Sequence, residues 1–245
     1  METDRADGSA VRRPDFGIDA PYVPAGYLAG AVVAAVPAVL FGPWWRITAA
    51  FFLLGAGIYL HTTRRGKFVA WERLLDRAAI AEDARVLDVG CGRGAVTVAV
   101  ARRVPRGRVA GVDLWRRGDQ SGNDPATTRA NLEAAGVAER VELHTADMRD
   151  LPFPDASFDL VVSSLAVHNL PRPEDRDRAV DEMCRVLRPD GRLVVADLGR
   201  TARYAERIRA RRPSATVTRT GLGPIMWWSG PWVGTSVVVA GPSGE

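Results

Sequence analysis

The stretch VLDVGCGRG, residues 86–94, places one carboxylate and three glycines within nine residues. Gly90, Gly92 and Gly94 come directly after an apolar run, and Asp88 lies two residues before the first of them. Glycine permits tight turns and lets a ligand come close to the backbone, and the start of a following helix favours an anionic group. A carboxylate here suits a cationic amino group, held directly or through water. The pattern predicts a site for a ligand whose polar part comes very close to the backbone.

Two further carboxylates follow the next predicted strands. Asp113 ends one of them, where a carboxylate can bind both hydroxyls of a ribose. Asp147, beside the apolar Met148, can accept a hydrogen bond from an adenine amino group. The glycines also fit a relaxed dinucleotide fingerprint, so an NAD-dependent oxidoreductase is an alternative. Asp88 argues against it, because a carboxylate faces a pyrophosphate unfavourably.

The chain from Gly66 onward has the sequence pattern of a folded domain that could position these residues. Apolar runs alternate with segments that have helical spacing, which predicts an α/β domain with a doubly wound, mostly parallel sheet. The last two predicted strands, SATVTRTGLG and GTSVVVAGPS, have no helix between them and predict an antiparallel pair at the sheet edge. Residues 64–245 are therefore expected to form the catalytic domain.

The N-terminal part has a different character. Residues 1–19 are polar and are expected to form a flexible tail. Residues 20–63 hold two apolar runs joined by GPWWR, and the first run is long enough to span a bilayer as a helix. Proline and glycine interrupt the helix at the joint, and paired tryptophans suit a membrane–water interface. We expect a transmembrane helical hairpin, with a cleaved signal peptide or a buried hairpin of a soluble protein as alternatives.

Basic residues flank the proposed hairpin on both sides. Arg5, Arg12 and Arg13 precede it, Arg64, Arg65 and Lys67 follow it, and only Arg46 lies in the turn between the two runs. The positive-inside rule then places both ends, and the catalytic domain, on the cytoplasmic side of the inner (plasma) membrane.

Composition excludes several other classes of function. The net charge of +4 is too small to argue for nucleic acid, and no basic patch is interleaved with aromatic residues. Two cysteines and three histidines argue against a disulfide framework and against a zinc cluster, so we expect no metal site. The oligomeric state cannot be read from the sequence.

Four segments carry a family resemblance: VLDVGCGRG, GVDLW, HTADMRDLPFPDASFDLVVSSLAVHNL and EMCRVLRPDGRLVVADL. In this order and spacing, the chain from about Arg65 to Ser243 resembles the class I S-adenosylmethionine-dependent methyltransferases, in the type 11 or ubiquinone/menaquinone-biosynthesis branch. The resemblance implies a seven-stranded Rossmann-like sheet and S-adenosyl-L-methionine as cofactor. The hairpin lies outside the resemblance.

The resemblance also assigns the cofactor-binding residues. It implies that the methionine part of the cofactor is lined by Asp88, Gly90, Cys91 and Gly92. It implies that Asp113 holds the ribose, that Leu114 packs beside the adenine, and that the adenine is held by Asp147 and Met148. Ser163 is implied to lie near the methionine or the acceptor. For Met148 a place in the core, and for Ser163 a purely structural role, are alternatives.

The methyl acceptor is less well defined. His168, just after the fourth predicted strand, is the candidate base, with acceptor contact or a structural role as alternatives. The loop from Trp115 to Asn123 could cover the cofactor, line the acceptor pocket, or be a solvated loop before a helix capped by Asp124 or Asn123.

Two other features leave alternatives open. Trp227, Trp228 and Trp232 could line an acceptor pocket, form a membrane-facing rim or belong to the core. The arginine-rich segment 200–212 could contact anionic lipid or be a solvated outer helix.

A membrane anchor favours a lipid-like or small-molecule acceptor at the cytoplasmic membrane face. A soluble metabolite with the hairpin only as anchor, and a protein that binds S-adenosylmethionine without catalysis, are the alternatives.

Overall fold

A computed structural model describes residues 13–242 and contains one seven-stranded sheet in the order β3-β2-β1-β4-β5-β7-β6. The strands are β1 (Arg85–Val89), β2 (Arg108–Asp113), β3 (Val141–Thr145), β4 (Phe158–Ser164), β5 (Leu187–Leu198), β6 (Ala215–Gly221) and β7 (Thr235–Pro242). Strands β1 to β5 are parallel, and β7 is antiparallel to both β5 and β6. The α/β fold class and the antiparallel edge predicted from the sequence are confirmed.

Seven α-helices accompany the sheet in the described part of the chain. They are α1 (Tyr22–Leu40), α2 (Pro43–His61), α3 (Lys67–Ala78), α4 (Ala95–Arg103), α5 (Pro125–Ala134), α6 (Pro173–Val186) and α7 (Thr201–Arg211). Two apolar clusters of buried residues cover the two faces of the sheet, one against α6 and α7 and the other against α3 and α4. Such double coverage is what the near-continuous apolar runs of β1, β4 and β5 require.

Strand order reverses between β1 and β4, because β1 pairs with β2 on one side and with β4 on the other. In open α/β sheets, ligands bind beyond the carboxyl ends of the strands at such a reversal. The loop that begins at Gly90 follows β1 at this point. The topology therefore places the glycine motif where a ligand site is expected.

Helices α1 and α2 pack on each other as an antiparallel pair. The Tyr27 ring lies against Gly55, where a Cβ atom would come within 2.5 Å of it, and Gly30 lies against Phe52 in the same way. Most of the large apolar side chains of the pair point away from the protein, including Val33 at 70% exposure. By length and composition, one described helix, Tyr22–Val39, could cross a membrane, a test that core helices and signal sequences also pass. The pairing is as predicted, while its insertion in a membrane stays a prediction.

The turn of this pair is shorter than the sequence suggests. GPWWR was expected to be the joint, but α2 already begins at Pro43 and only Phe41 and Gly42 separate the helices. Proline is favourable in the first helical turn because its missing N–H needs no partner there, and Gly42 takes the positive φ of 102° that the reversal requires.

The second helix of the pair continues into the catalytic domain. Residues Thr62–Gly66 form a π-helical turn that joins α2 directly to α3. Thr62 is fully buried and donates a hydrogen bond to the carbonyl of Trp227, and a Cβ atom at Gly66 would lie 2.1 Å from the carbonyl oxygen of Ile225. The hairpin is thus built into the domain by a continuous helix and close backbone packing.

The polar segment before the hairpin differs from the expected flexible tail in its described part. Residues 15–20, which we name the strap, bind the catalytic domain: Asp15 N donates to Asn131 Oδ1 at 2.9 Å, and Ile18 N donates to Ser121 Oγ at 2.9 Å. The strap also forms a bridge with the loop after β2, between Asp19 and Gln120. Residues 1–12 of the expected tail lie outside the described residues.

Candidate active site

The loop after β1 turns through three glycines that all have positive φ, 76° at Gly90, 50° at Gly92 and 83° at Gly94. L-residues with a side chain adopt this region only with strain. A Cβ atom at Gly90 would also lie 2.2 Å from the Cβ of Ala166, so the loop leaves no room for a methyl group. The amide of Gly90 donates to the carbonyl of Val112 at 2.8 Å, which fixes the loop against β2.

Asp88 lies beneath this loop and is 1% exposed. Its Oδ2 accepts a hydrogen bond from Thr97 Oγ1 at 2.6 Å, whereas its Oδ1 is buried and has no hydrogen-bond partner among residues 13–242. Burial raises the pKa of Asp88 to about 7, and the Thr97 hydrogen bond only partly opposes that rise. A buried carboxylate oxygen without a donor fits a cationic amino group, such as the one that S-adenosylmethionine carries.

Asp113 closes the neighbouring side of the site at the end of β2. Its carboxylate accepts hydrogen bonds from the amides of Gly92, at 2.9 Å, and Trp115, at 2.6 Å, and from Asn123 Nδ2 at 3.2 Å. These bonds orient the side chain toward the same cavity as the glycine loop. The position matches that of a carboxylate that holds a ribose.

The residues expected around the adenine, Leu114, Asp147 and Met148, line the same cavity, and Ala146 lines it beside them. Asp147 carries a feature that the sequence did not suggest. Its carboxylate is paired with Arg149, with Nη2 to Oδ2 at 2.6 Å, and Arg149 also pairs with Asp175 at 3.0 Å. The hydrogen bond from Arg149 lowers the pKa of Asp147 although burial opposes it. Arg149 thus keeps this carboxylate ionised as a hydrogen-bond acceptor.

The cavity is lined by Cys91 but not by Ser163. Ser163 is buried inside the sheet, where its hydroxyl donates to the carbonyl of Val89 at 2.8 Å. Side chains alternate along a strand, and the next residue, Ser164, lines the cavity and accepts a hydrogen bond from Trp71 Nε1 at 2.7 Å. Ser164, and not Ser163 as expected, is therefore the serine of β4 that can contact a ligand in this cavity.

His168 also lines this cavity, and a carboxylate holds its ring. His168 Nδ1 lies 2.5 Å from Asp197 Oδ1, and the His168 amide donates to Asp197 Oδ2 at 2.9 Å. Asp197 is fully buried. Burial lowers the pKa of His168, but the hydrogen bond and charge of Asp197 outweigh it, so that the pKa is raised above its usual 6.5. With Nδ1 engaged by Asp197, Nε2 is the nitrogen left to exchange a proton with a ligand.

Sequence reasoning missed Asp197. A signal was present, because Asp197 stands near the carboxyl end of an apolar strand, as Asp113 does in β2. What the sequence could not supply was the pairing, since Asp197 lies in β5 whereas His168 lies in the loop after β4.

The loop from Trp115 to Asn123 is the docking site of the strap. Gln120 of this loop connects the glycine motif to the strap. Its Oε1 accepts a hydrogen bond from the amide of Arg93 at 2.9 Å, and its Nε2 donates one to Asp19 Oδ1 at 3.1 Å. Asp19 Oδ2 in turn binds Lys67 Nζ at 2.7 Å, and Lys67 is 5% exposed. Asp124, rather than Asn123, caps the next helix by accepting from the Ala126 amide at 2.8 Å. Strap and loop together cover the glycine motif from outside.

The tryptophans of the final connection, residues 222–234, divide between core and rim. Trp228 is 4% exposed, lines the cavity, and contacts Tyr59 of α2 edge-on with 5.0 Å between ring centroids. Trp232 is 60% exposed and stacks on Phe51 of α2 at 5.8 Å. Both tryptophans therefore connect the catalytic domain to the hairpin.

The arginines of α7 bind protein groups. Arg203 pairs with Asp177 at 2.6 Å, and Arg207 and Arg211 both pair with Asp181 of α6. These ion pairs favour the outer-helix interpretation over contact with anionic lipid.

One cavity of about 410 Å³ extends from the glycine loop past His168 to the hairpin. A doubly wound sheet in the observed order, a glycine loop with a buried carboxylate below it, and an aspartate at the end of the next strand form a Rossmann-like domain whose site suits S-adenosylmethionine. Residues 87–195, a little under half of the chain, match a family model described as a methyltransferase domain, which is the class of enzyme that such a site suits.

Curated relatives agree with this class. The chain is 35% identical over 127 residues to methyltransferase GfsG of Streptomyces halstedii, covering 52% of this chain and 42% of that protein. It is 37% identical to 27-O-demethylrifamycin SV methyltransferase of Amycolatopsis mediterranei, covering 52% and 45%, and 31% identical to the ubiquinone/menaquinone biosynthesis C-methyltransferase UbiE of Geotalea daltonii, covering 52% of both chains. The chain thus spans about half the length of these relatives.

Solved structures share the fold. The [4+2]-cyclase SpnF superposes with a TM-score of 0.59 at 19% identity, covering 93% of this chain and all of that one. Geranyl diphosphate C-methyltransferase from Streptomyces coelicolor gives a TM-score of 0.57 at 18% identity, covering 74% and 80%. At such identities the likeness concerns the fold alone.

Proposed function

We propose that this protein transfers the methyl group of S-adenosylmethionine to a small lipid-like acceptor at the cytoplasmic face of a membrane. The observation that carries the proposal is one continuous cavity that contains both a cofactor half and a histidine held by a buried carboxylate. The exposed apolar surface of the hairpin supports the membrane location.

Each residue has a definite task in this function. S-adenosylmethionine, when bound, would supply a methyl group that the acceptor's nucleophile takes in line, with S-adenosylhomocysteine as the leaving group. Asp88 would hold the cofactor's amino group and Asp113 its ribose, which fixes the methyl group relative to the acceptor. Asp197 keeps His168 in the tautomer whose Nε2 is free, and Nε2 would take the proton that the acceptor loses. The proposal therefore favours an acceptor whose nucleophile carries a removable proton.

The membrane location is argued from the hairpin surface and its charges. Valines 32, 33, 36 and 39 of α1 are each at least 65% exposed, as are Phe41 and Trp44 at the tip. An apolar surface of this extent rarely faces water in a soluble monomer. Arg64 and Arg65 are exposed at the opposite end, beside the catalytic domain, where they would lie at the cytoplasmic interface.

Two alternatives rest on specific observations. A soluble acceptor with the hairpin as a mere anchor is supported by the similarity to a relative named as a 27-O-demethylrifamycin SV methyltransferase. A role without methyl transfer is supported by the fold likeness to a protein named as a cyclase, since one fold serves several chemistries.

The test uses full-length protein expressed in bacterial membranes. Membrane flotation at high salt measures insertion, and formation of S-adenosylhomocysteine from S-adenosylmethionine, with membrane lipids or an aqueous metabolite extract as the acceptor source, measures turnover. The proposal expects flotation with the membranes and turnover with the lipids. Turnover only with the aqueous extract, or binding without turnover, would favour one of the alternatives.

A further inference from the structure

The cavity extends beyond the cofactor half, and there the hairpin itself forms its wall. Tyr22, Val23 and Tyr27 at the start of α1 line it, together with Tyr59 near the end of α2. The facing wall comes from the 222–234 connection, through Trp228 and Val233. A helical pair that served only as a tether would have no reason to contribute to the cavity that contains His168.

This part of the cavity is apolar in its walls and polar toward His168. Tyr59 is 5% exposed, and its hydroxyl donates to the carbonyl of Asp19 at 2.9 Å, so its ring is held in place against Trp228. Ser164, at the end of β4, and the Asp19–Lys67 ion pair supply polar groups to the same cavity. This distribution suits a molecule with a polar head toward the sheet and an apolar remainder toward the hairpin.

The rim of the cavity on the hairpin side is continuous with the exposed surface of the hairpin. Tyr22 is 68% exposed and Val233 36% exposed, although both line the cavity. Beside Val233, Trp232 stacks on Phe51 of α2, and both rings are exposed. The cavity walls therefore continue into the apolar surface that the proposed function places in the bilayer.

We infer that the start of α1 and the 222–234 connection together form the binding site for the apolar chain of an amphipathic acceptor, which enters from the membrane along the hairpin. The inference rests on the proposed function for the acceptor's reactive head, but the chain-binding site itself is a separate claim. It makes the hairpin a part of the active site and Val23 a residue that determines acceptor specificity.

The experiment uses the full chain in nanodiscs of phosphatidylethanolamine and phosphatidylglycerol, with a long-chain alkylphenol that carries a diazirine on its chain as the probe. After illumination, mass spectrometry locates the cross-links, and calorimetry with S-adenosylhomocysteine measures cofactor affinity. We expect cross-links in residues 22–27 and 228–233. Cross-links confined to the outer face of the hairpin, such as residues 32–39, would overturn the inference.

Two variants sharpen the result. Val23→Trp fills the apolar half, and Val32→Trp makes the same change on the same helix, about 180° away, at a residue that is 68% exposed and does not line the cavity. We expect Val23→Trp to reduce labelling of 228–233 at least fivefold and Val32→Trp to leave it within twofold, with cofactor affinity kept in both. Equal labelling in the two variants would contradict the inference.

The outcomes separate this inference from the proposed function. Absence of cofactor binding in the unaltered protein would contradict the proposed function, while the cross-link positions would still decide where an apolar chain binds. If Val23→Trp loses cofactor binding through misfolding, the cross-link map of the unaltered protein decides.

Discussion

Asp88 combines two properties that conflict in the absence of a ligand, since it is almost fully buried and has one oxygen without a donor. Burial raises its pKa to about 7. A cationic amino group binds the ionised form, so below pH 7 binding must first remove a proton. We expect cofactor affinity to fall roughly 10- to 30-fold from pH 7.5 to pH 5.5, as measured by calorimetry. In Asp88→Asn the affinity should be low and nearly independent of pH, and an unchanged slope would contradict this role.

Removal of the Asp113 carboxylate should weaken cofactor binding through the loss of its hydrogen bonds to the ribose. The carboxylate orients toward the cavity through the Gly92 and Trp115 amides. Hydrogen bonds to a charged group contribute about 1.5–3 kcal/mol, so Asp113→Ala should reduce affinity for S-adenosylhomocysteine by roughly 10- to 100-fold. Asp190→Ala, at a side chain that is 78% exposed and does not line the cavity, is the control and should change nothing.

The His168–Asp197 pair predicts a titration that can be observed without knowing the acceptor. With only three histidines in the chain, ¹³C-histidine NMR can resolve each ring. His168 should titrate above 6.5, because Asp197 outweighs the opposing effect of burial. The ion pair therefore stabilises the fold fully below pH 6.5, and this contribution is lost as the pH rises through the raised pKa.

Asp197→Asn should move the His168 midpoint to lower pH. Asp119 raises the pKa of His168 only through its charge, so Asp119→Asn is a matched control that should produce a smaller shift in the same direction. Equal midpoints in the unaltered protein and in Asp197→Asn would show that the pair does not act as described.

At the scale of single elements, the glycine loop is the part that tolerates least change. Gly90→Ala adds a methyl group where φ is 76° and where the nearest Cβ atom would be 2.2 Å away. We expect cofactor binding to fall beyond detection and the free energy of unfolding to drop by about 1–3 kcal/mol or more, measured by calorimetry and by denaturant titration. Gly118→Ala, in a loop with open space around it, should alter neither quantity.

The elements themselves were largely predictable, for identifiable reasons. Apolar runs such as those of β1 and β4 are nearly continuous, bounded by turns and buried on both faces, so their pattern is strong. Ser163 illustrates the limit, because one position along β4 decides whether a side chain faces the cavity or the sheet interior, and the sequence did not determine which.

At the scale of the whole molecule, the sequence could not predict how the N-terminal part sits on the domain. The strap has no periodic pattern, and its bonds join residues far apart in the chain, such as Asp15 and Asn131. Because the strap is short and polar, its sequence alone predicts a flexible tail; only the fold shows that it packs against the loop from Trp115 to Asn123. The joining of α2 to α3 by a π-helical turn was equally hidden, since Thr62–Gly66 looks like a polar boundary between a membrane segment and a soluble one.

The cavity has two halves, one formed by sequence motifs and one formed by the packing of distant elements. The cofactor half follows from motifs in the sequence, whereas the apolar half exists only because α1, α2 and the 222–234 connection meet. The account of a membrane-associated methyltransferase depends on both halves acting on one acceptor.

The most direct test of that account follows the methyl group itself. Full-length protein in native-like membranes would be incubated with S-adenosylmethionine labelled in the methyl group, and the label would be counted after lipid extraction, with Asp113→Ala as control. The account predicts label in the lipid fraction that falls at least tenfold in the variant. Label that stays in the aqueous phase, or that is equal in both proteins, would contradict it.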